Sequence, residues 1–472
     1  MKSLLSSENR FLLMLIGVST LVLSLASVSR HLLFQSNALD LGFFDQVTYL
    51  ISVDQPPITT FQDLHILGDH AAFIFYPLGL LYRLYPSVYW LLAVQALSLS
   101  LGAWPSYHLA CQAGVKPAQA KAIAVVYLLY PLIFNVNLFD FHPEVIALPA
   151  ILWAVWAARE QTLTQFIGAI ILVLSCKAVL SLTVIFLGLW LLIWQRRRLY
   201  GAIALGSGAF WFIFTTQWLI PHFKGGEVAA VGRYDFLGSS VLEIAVNLLL
   251  KPQLVLGHLF TGANFIYLLL LIAPLLWGLT WRHLDPLIPA LPALGLNLLT
   301  DHLPQKDLVH QYSIAIFPFL LIAVIDSLAH QRAWLQRPRW ILLWALVAFL
   351  ALAKFGYFTS LYLQNLDTWQ ASRQAIQQVR TSGGVLTTAT LAPHLSHRVL
   401  IKLAINGAET LDLGQFDYVV LNQRHPGWEI EPGLLPRLRE SLSQRHDFQL
   451  RYQQDEVVVF QKQSLQTGER QS

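Results

Sequence analysis

The chain has 472 residues, 55% of them hydrophobic and only 12% charged, about half the charged share of an ordinary soluble domain. With a mean hydropathy of +0.53, a single soluble globule is excluded. The formal charge of +4 does not point to nucleic acid, because the residues from Thr359 onward are balanced at 11 Lys+Arg and 11 Asp+Glu and no basic stripe with interleaved aromatics lies on a polar face.

The first 358 residues are a series of apolar runs of bilayer-crossing length. The run Phe11–Ser29, preceded by Lys2 and Arg10, is longer than a signal-peptide core of about 7–15 residues, so it is expected to stay as an anchor. Further spans are predicted at 88–110, 121–138, 143–158, 162–176, 178–194, 200–219, 258–280, 284–299, 311–329 and 340–358. The expected fold class is an α-helical polytopic membrane protein of about eleven transmembrane helices with a small C-terminal α/β domain.

Orientation follows from the cytoplasmic excess of Lys and Arg. The basic loops Gln195–Arg198, Trp281–His283 and His330–Arg339 fall inside if the N-terminus is inside. The expected location is therefore an inner (plasma) membrane, with a cytoplasmic N-terminus and an extracytoplasmic C-terminal domain. Before residue 359, Lys+Arg then divide 12 inside to 8 outside, and Asp+Glu 4 to 12. Cys111 and Cys176 fall on opposite sides, so no disulfide is expected.

Two long segments fall outside, 30–86 and 220–257. Within the first, Ala71–Tyr85 is apolar but short, and carries Arg83 with tyrosines at 76, 82 and 85. It suits an interfacial or re-entrant helix. Ser240–Leu250 reads as an amphipathic surface helix. The soluble domain covers 359–464 and is of a size to fold alone. It comprises a polar helix Leu363–Arg380, an apolar run Val385–Thr390, a buried strand Tyr418–Asn422, a helix Glu431–Gln444 and a hairpin of Phe448–Gln453 with Glu456–Gln461. Residues 465–472 are expected to be a disordered tail.

Polar residues close to a membrane are costly and tend to be functional. At the outer ends stand Asp40, Asp45, Asp69, His70, Asp140, His142, Glu144, Lys177, His222, Arg233, Asp301, His302, His310 and Tyr312. Each has a plainer explanation. Asp40 could cap a helix, and Asp45 could be structural. Pro143-Glu144 is an ordinary helix start. Lys177 marks either a hairpin tip or an anion site, and Tyr312 could be an interface anchor. Asp140-x-His142-x-Glu144 offers ligand-type residues without a clear metal motif. A divalent metal is therefore possible but unsupported, and the cofactor is open. There is no phosphate-binding loop, no dinucleotide fingerprint and no His-Glu-x-x-His.

Leu39–Gln46, Gly68-Asp69-His70, Leu92–Tyr107 with Gln95 and Pro105, Asp140–Glu144, Leu391–Arg398 and Phe416–Leu421 together resemble the prokaryotic membrane family designated domain of unknown function 2079. That family is similar in layout to the GT-C glycosyltransferases. The resemblance implies a polyprenyl-phosphate sugar donor, a glycan, lipid or protein acceptor, and a site at the outer face among membrane lipids. It implies Asp40 and Asp45 as catalytic carboxylates. Asp69, His70, His142, Glu144 and Tyr312 are candidates for substrate binding, and Lys177, His222, Arg233 and His310 for the lipid phosphate. It also implies an acidic residue directly after the lysine at 177, where Ala178 stands here. The alternative is a non-enzymatic transporter or binding protein for a lipid-linked glycan.

Overall fold

The computed structural model describes residues 7–226, 229–427 and 430–463; the expected tail, 465–472, lies outside them. The chain is mostly helical and divides into two compact units. Among the described residues, the first comprises those within 1–26, 67–74 and 92–354, and the second those within 27–66, 75–91 and 355–472.

Among the described residues, four helical stretches are long and apolar enough to cross a membrane: Ser7–Leu32, Pro117–Phe139, Arg198–Lys224 and Pro338–Gln378, the last made of Pro338–Leu352 and two further helices after it. A pair bent by 92°, Val241–Leu250 and Pro252–Leu259, would together make a fifth. Shorter apolar helices include Leu163–Cys176, Leu180–Ile193 and Phe317–Ala329. Several expected spans prove shorter or broken. Residues 88–110 divide into Tyr89–Leu101 and Ala103–Gln112, at Gly102, where a Cβ would collide with the Tyr127 ring. The span expected from 258 starts at Gly262, capped by the Thr261 hydroxyl accepting from Asn264 N at 3.2 Å. That expected from 311 becomes α-helical only at Phe317.

Small residues set the tightest helix contact of the first unit. Leu180–Ile193 and Arg198–Phe214 run back along each other. A Cβ on Gly201 would lie 2.8 Å from Gly188 O, and one on Gly208 2.9 Å from Ile185 N. Such close backbone approach substitutes for the hydrophobic drive that lipid does not supply. The surface helix forms at Val241–Leu250, where Ser240 Oγ accepts from Glu243 N at 3.1 Å while Glu243 accepts from Ser239 N at 2.9 Å.

The second unit holds a short ribbon, β1 (Ile58–Thr59) against β2 (Leu64–His65), and a five-stranded sheet. The sheet strands are β3 (Val385–Thr387), β4 (Ile401–Leu403), β5 (Tyr418–Asn422), β6 (Phe448–Gln454) and β7 (Val457–Lys462), in the order β4-β3-β5-β7-β6. β3 is parallel to β4 and β5, and β7 is antiparallel to β5 and β6. One face packs on Trp369–Gln378 together with Phe34 and Ala38 from the N-terminal part of the chain. The other packs on Leu434–Gln444.

The polar helix expected at 363–380 is two helices, Phe355–Gln364 and Trp369–Gln378. The break is held because Asn422 Nδ2, at the end of β5, donates to Thr368 Oγ1 at 3.0 Å. The helix expected from 431 starts at Leu434, after Gly433 at φ +89°. From 71–85 only Phe75–Leu84 is helical. Ten residues rise about 15 Å, half of the roughly 30 Å hydrocarbon core, so this helix cannot cross.

Candidate functional site

In the first unit, Gly68-Asp69-His70 lies along the connection between Leu163–Cys176 and Leu180–Ile193. Ala178 N donates to His70 O at 2.9 Å, and Ile74 N to Ser175 O at 3.0 Å. Gly68 permits the approach, since a Cβ there would come within 3.1 Å of Phe223 and Lys224 backbone atoms. Lys177 occupies the connection in extended conformation. Its Nζ donates to Glu144 Oε1 at 2.6 Å, with the two side chains only 18% and 7% exposed. Glu144 sits in the first turn after Pro143, where a carboxylate suits the helix N-terminus. Its Oε2 is buried and has no hydrogen-bond partner among the described residues.

Asp69 pairs with His70. Burial alone would raise the Asp69 pKa, but His70, Lys177 and Lys224 hold it below the ordinary carboxylate range. Two carboxylates, two lysines and a histidine therefore meet near these helix ends.

An aromatic row continues from there. His142, whose backbone N–H donates to Gln95 Oε1 at 3.3 Å, stacks on Phe139 at 5.5 Å between centroids. Phe139 in turn meets the His310 ring at 4.3 Å. His310 Nδ1 lies 2.8 Å from Asp307, which also accepts from Val309 N and His310 N. Tyr312 carries the Arg233 guanidinium over its ring at 5.3 Å, and Arg233 donates to Gln305 Oε1 at 2.8 Å. Gln305 is held by Tyr234 and Asn297.

The second unit holds another cluster. Asp40 lies in the short π-helical turn Ala38–Gly42, half-buried. The cap of that turn is Asn37, whose Oδ1 accepts from Leu39 N at 2.8 Å, and not Asp40. Asp45, only 1% exposed, accepts from Tyr82 OH at 2.5 Å and from Ser396 Oγ, and pairs with His397 Nε2 at 3.0 Å. Tyr49 stacks on the His397 ring at 5.1 Å. Burial would lower the His397 pKa, but the charge of Asp45 and its hydrogen bond raise it above the ordinary value. Nearby, the rings of His394 and His31 stack at 4.0 Å, and burial pushes His394 down to about 4. Arg398, lowered by burial to about 10, donates to Gly383 O at 2.6 Å. No group of three or more His, Cys, Asp or Glu side chains suited to a metal ion occurs among the described residues.

Asp45, Asp69, His70, His142, Glu144, His394 and His397 fall in the blocks that carry the family resemblance, and a family model matches residues 30–459, nearly the whole chain. The chain belongs to the family described as "Predicted membrane protein (DUF2079)". It is a membrane protein. A comparison with curated proteins finds no match. Among solved structures, the chain is similar to ArnT from Cupriavidus metallidurans in the apo state, with TM-score 0.52, 13% identity, and 96% and 98% of the two chains covered. The same protein bound to undecaprenyl phosphate gives 0.49, 13%, 95% and 97%. The archaeal oligosaccharyltransferase AglB from Archaeoglobus fulgidus, in complex with an inhibitory peptide and a dolichol-phosphate, gives 0.31, 11%, 86% and 69%. The apo ArnT likeness shows the fold alone, and it agrees with the GT-C-like layout expected from sequence.

In this DUF2079 chain, Asp69, His70, Glu144 and Lys177 come together, and His142, His310, Tyr312 and Arg233 follow along the row. His222 shares a short helix with Lys224, but its ring stacks on Trp218 at 5.8 Å. Sequence reasoning missed Lys224, Gln305, Tyr82, Ser396 and His397. Lys224 was signalled by its place two residues after His222. Ser396 and His397 lie in the Leu391–Arg398 block, to which the resemblance assigns no role. The missing acid beside Lys177 is found in Glu144, supplied by the Phe-His-Pro-Glu block.

Proposed function

We propose that this protein is a GT-C-like glycosyltransferase that takes its sugar from a polyprenyl-phosphate carrier at the outer face of the membrane. The observation that carries the reading is the Lys177–Glu144 pair, extended by His142, Phe139 and His310 towards Tyr312 and Arg233. Part-buried cations in an apolar helical unit are costly and tend to be kept for function. Lys177, Lys224 and Arg233 are the groups to receive a phosphate. Negative charge grows on that phosphate as the glycosidic bond breaks, and fixed cations there stabilise the transition state.

Asp40 is the proposed base that takes the acceptor hydroxyl proton, a role worth about 10²–10⁴-fold in rate. Asp45 is better suited to anchoring, because three donors already occupy its oxygens. The finer topology belongs to the same reading: about eleven crossings, a cytoplasmic N-terminus and residues 359–464 outside. The test is turnover of radiolabelled polyprenyl-phosphate sugars by purified protein, comparing wild type with Asp40→Asn and Lys177→Met. Passage of a lipid-linked glycan across vesicles without turnover would replace the enzyme with a transporter.

A further inference from the structure

The second unit contains a cleft of about 500 Å³ lined by Ile51, Asp54, Gln55, the pair Pro56-Pro57, Tyr76, Gly79, Leu80 and Arg83. It is an open groove at the surface, not an enclosed cavity. Its floor depends on Gly79: a Cβ there would strike Ile51, so glycine lets Phe75–Leu84 approach Phe43–Ser52 closely. Asp54, at φ +56°, turns the chain back so that Gln55 N bonds to Leu50 O at 2.9 Å. Its carboxylate meets the Arg83 guanidinium. That ion pair is open to solvent, with side chains 80% and 48% exposed, so it contributes little to stability. It keeps spare lone pairs and N–H groups turned outward.

We propose that this cleft binds a pyranose unit of a glycan. Tyr76, 39% exposed, and the exposed ring of Pro56 offer apolar surfaces to the C–H faces of a sugar ring. Asp54, Arg83 and Gln55 offer acceptors and donors to ring hydroxyls. A simple anion would be opposed by Asp54. As the place where a glycan acceptor is held, the cleft rests on the glycosyl-transfer reading; as a glycan site it stands without it.

Saturation-transfer NMR on the full chain in nanodiscs tests the proposal, with chitotetraose, mannotetraose and maltotetraose as probes and no donor present. At least one should bind, and Tyr76→Ala and Arg83→Gln should each weaken it about tenfold, equivalent to 1.4 kcal/mol, with thermal midpoints near wild type. A spin label at Leu80→Cys, in a Cys111→Ser background, should be reached by a water-soluble relaxation agent. No binding of any probe, binding indifferent to both variants, or a label reached only by oxygen from the bilayer would each overturn the assignment. Because no donor is used, failed sugar turnover alongside intact glycan binding would reject the enzyme and leave the site.

Discussion

Lys177 and Glu144, 33 residues apart in sequence, form a hydrogen-bonded ion pair at 2.6 Å inside the helical unit. Glu144 is almost fully enclosed, and one of its oxygens has no partner among the described residues. Removing either partner of such a pair leaves an uncompensated buried charge and typically costs about 3–5 kcal/mol. Lys177→Met alone should therefore lower both thermal stability and anion binding, and the two effects would be confounded. Lys177→Met with Glu144→Gln should recover most of the stability while anion binding stays lost. Thermal unfolding in detergent and binding of a polyprenyl phosphate, measured side by side, separate them. Recovery of binding in the double variant would remove Lys177 from the phosphate site.

The contacts of Asp45 predict a structural phenotype. Asp45→Ala leaves the hydroxyls of Tyr82 and Ser396 and the His397 ring without their acceptor. Each hydrogen bond to a charged group is worth roughly 1.5–3 kcal/mol, so protease resistance of the 391–398 loop should fall sharply. Asp45→Asn should be milder, because the amide oxygen still accepts. Cleavage followed by mass spectrometry reads both, and unchanged protection in Asp45→Ala would show the anchor to be unimportant.

Two histidines in this unit predict opposite pH limbs. His394 is held at about 4, below its free value of 6.5, so between those values the unfolded chain binds the extra proton and stability falls as pH drops. His397 is raised above 6.5, so its contribution is complete below 6.5 and is lost as pH rises through the folded value. Stability of the unit should peak near neutral-to-slightly-acid pH. His394→Asn should flatten the acid limb and His397→Gln the alkaline limb, as read by thermal midpoints from pH 4 to 9. A profile unchanged by both substitutions would contradict this.

How far the sequence carried depends on the range of each interaction. Val385–Thr387 and Tyr418–Asn422 were legible as strands because unbroken apolar runs bounded by polar residues have few other uses. Ile401–Leu403 was not, since three residues carry no period. The non-crossing helix Phe75–Leu84 was legible from length and its lone Arg83. Asp45–His397 and Lys177–Glu144 were not: each joins residues far apart in the chain, and nothing local at Lys177 names Glu144 as its partner. The second unit also gathers 27–66 and 75–91 with the C-terminal sheet, through contacts such as Thr60 Oγ1 donating to Ile401 O at 2.8 Å. No composition shift announces that.

Topology is open to direct test. Reporters active only in the cytoplasm should work when fused after Arg198, Arg282 and Arg337, and fail after Asp140 and Lys306, following the basic loops. An external signal after Arg198 with an internal one after Asp140 would invert the assignment.

The central claim, sugar transfer from a lipid phosphate, is tested most directly by turnover of a radiolabelled polyprenyl-phosphate sugar panel by purified wild type and Asp40→Asn, with protein abundance measured in parallel. The expected result is transfer with release of free polyprenyl phosphate by wild type, and a loss of about 10²–10⁴-fold in Asp40→Asn at undiminished abundance. An equally active Asp40→Asn protein would contradict the assigned base, and a wild type that turns over no member of the panel would contradict the enzyme.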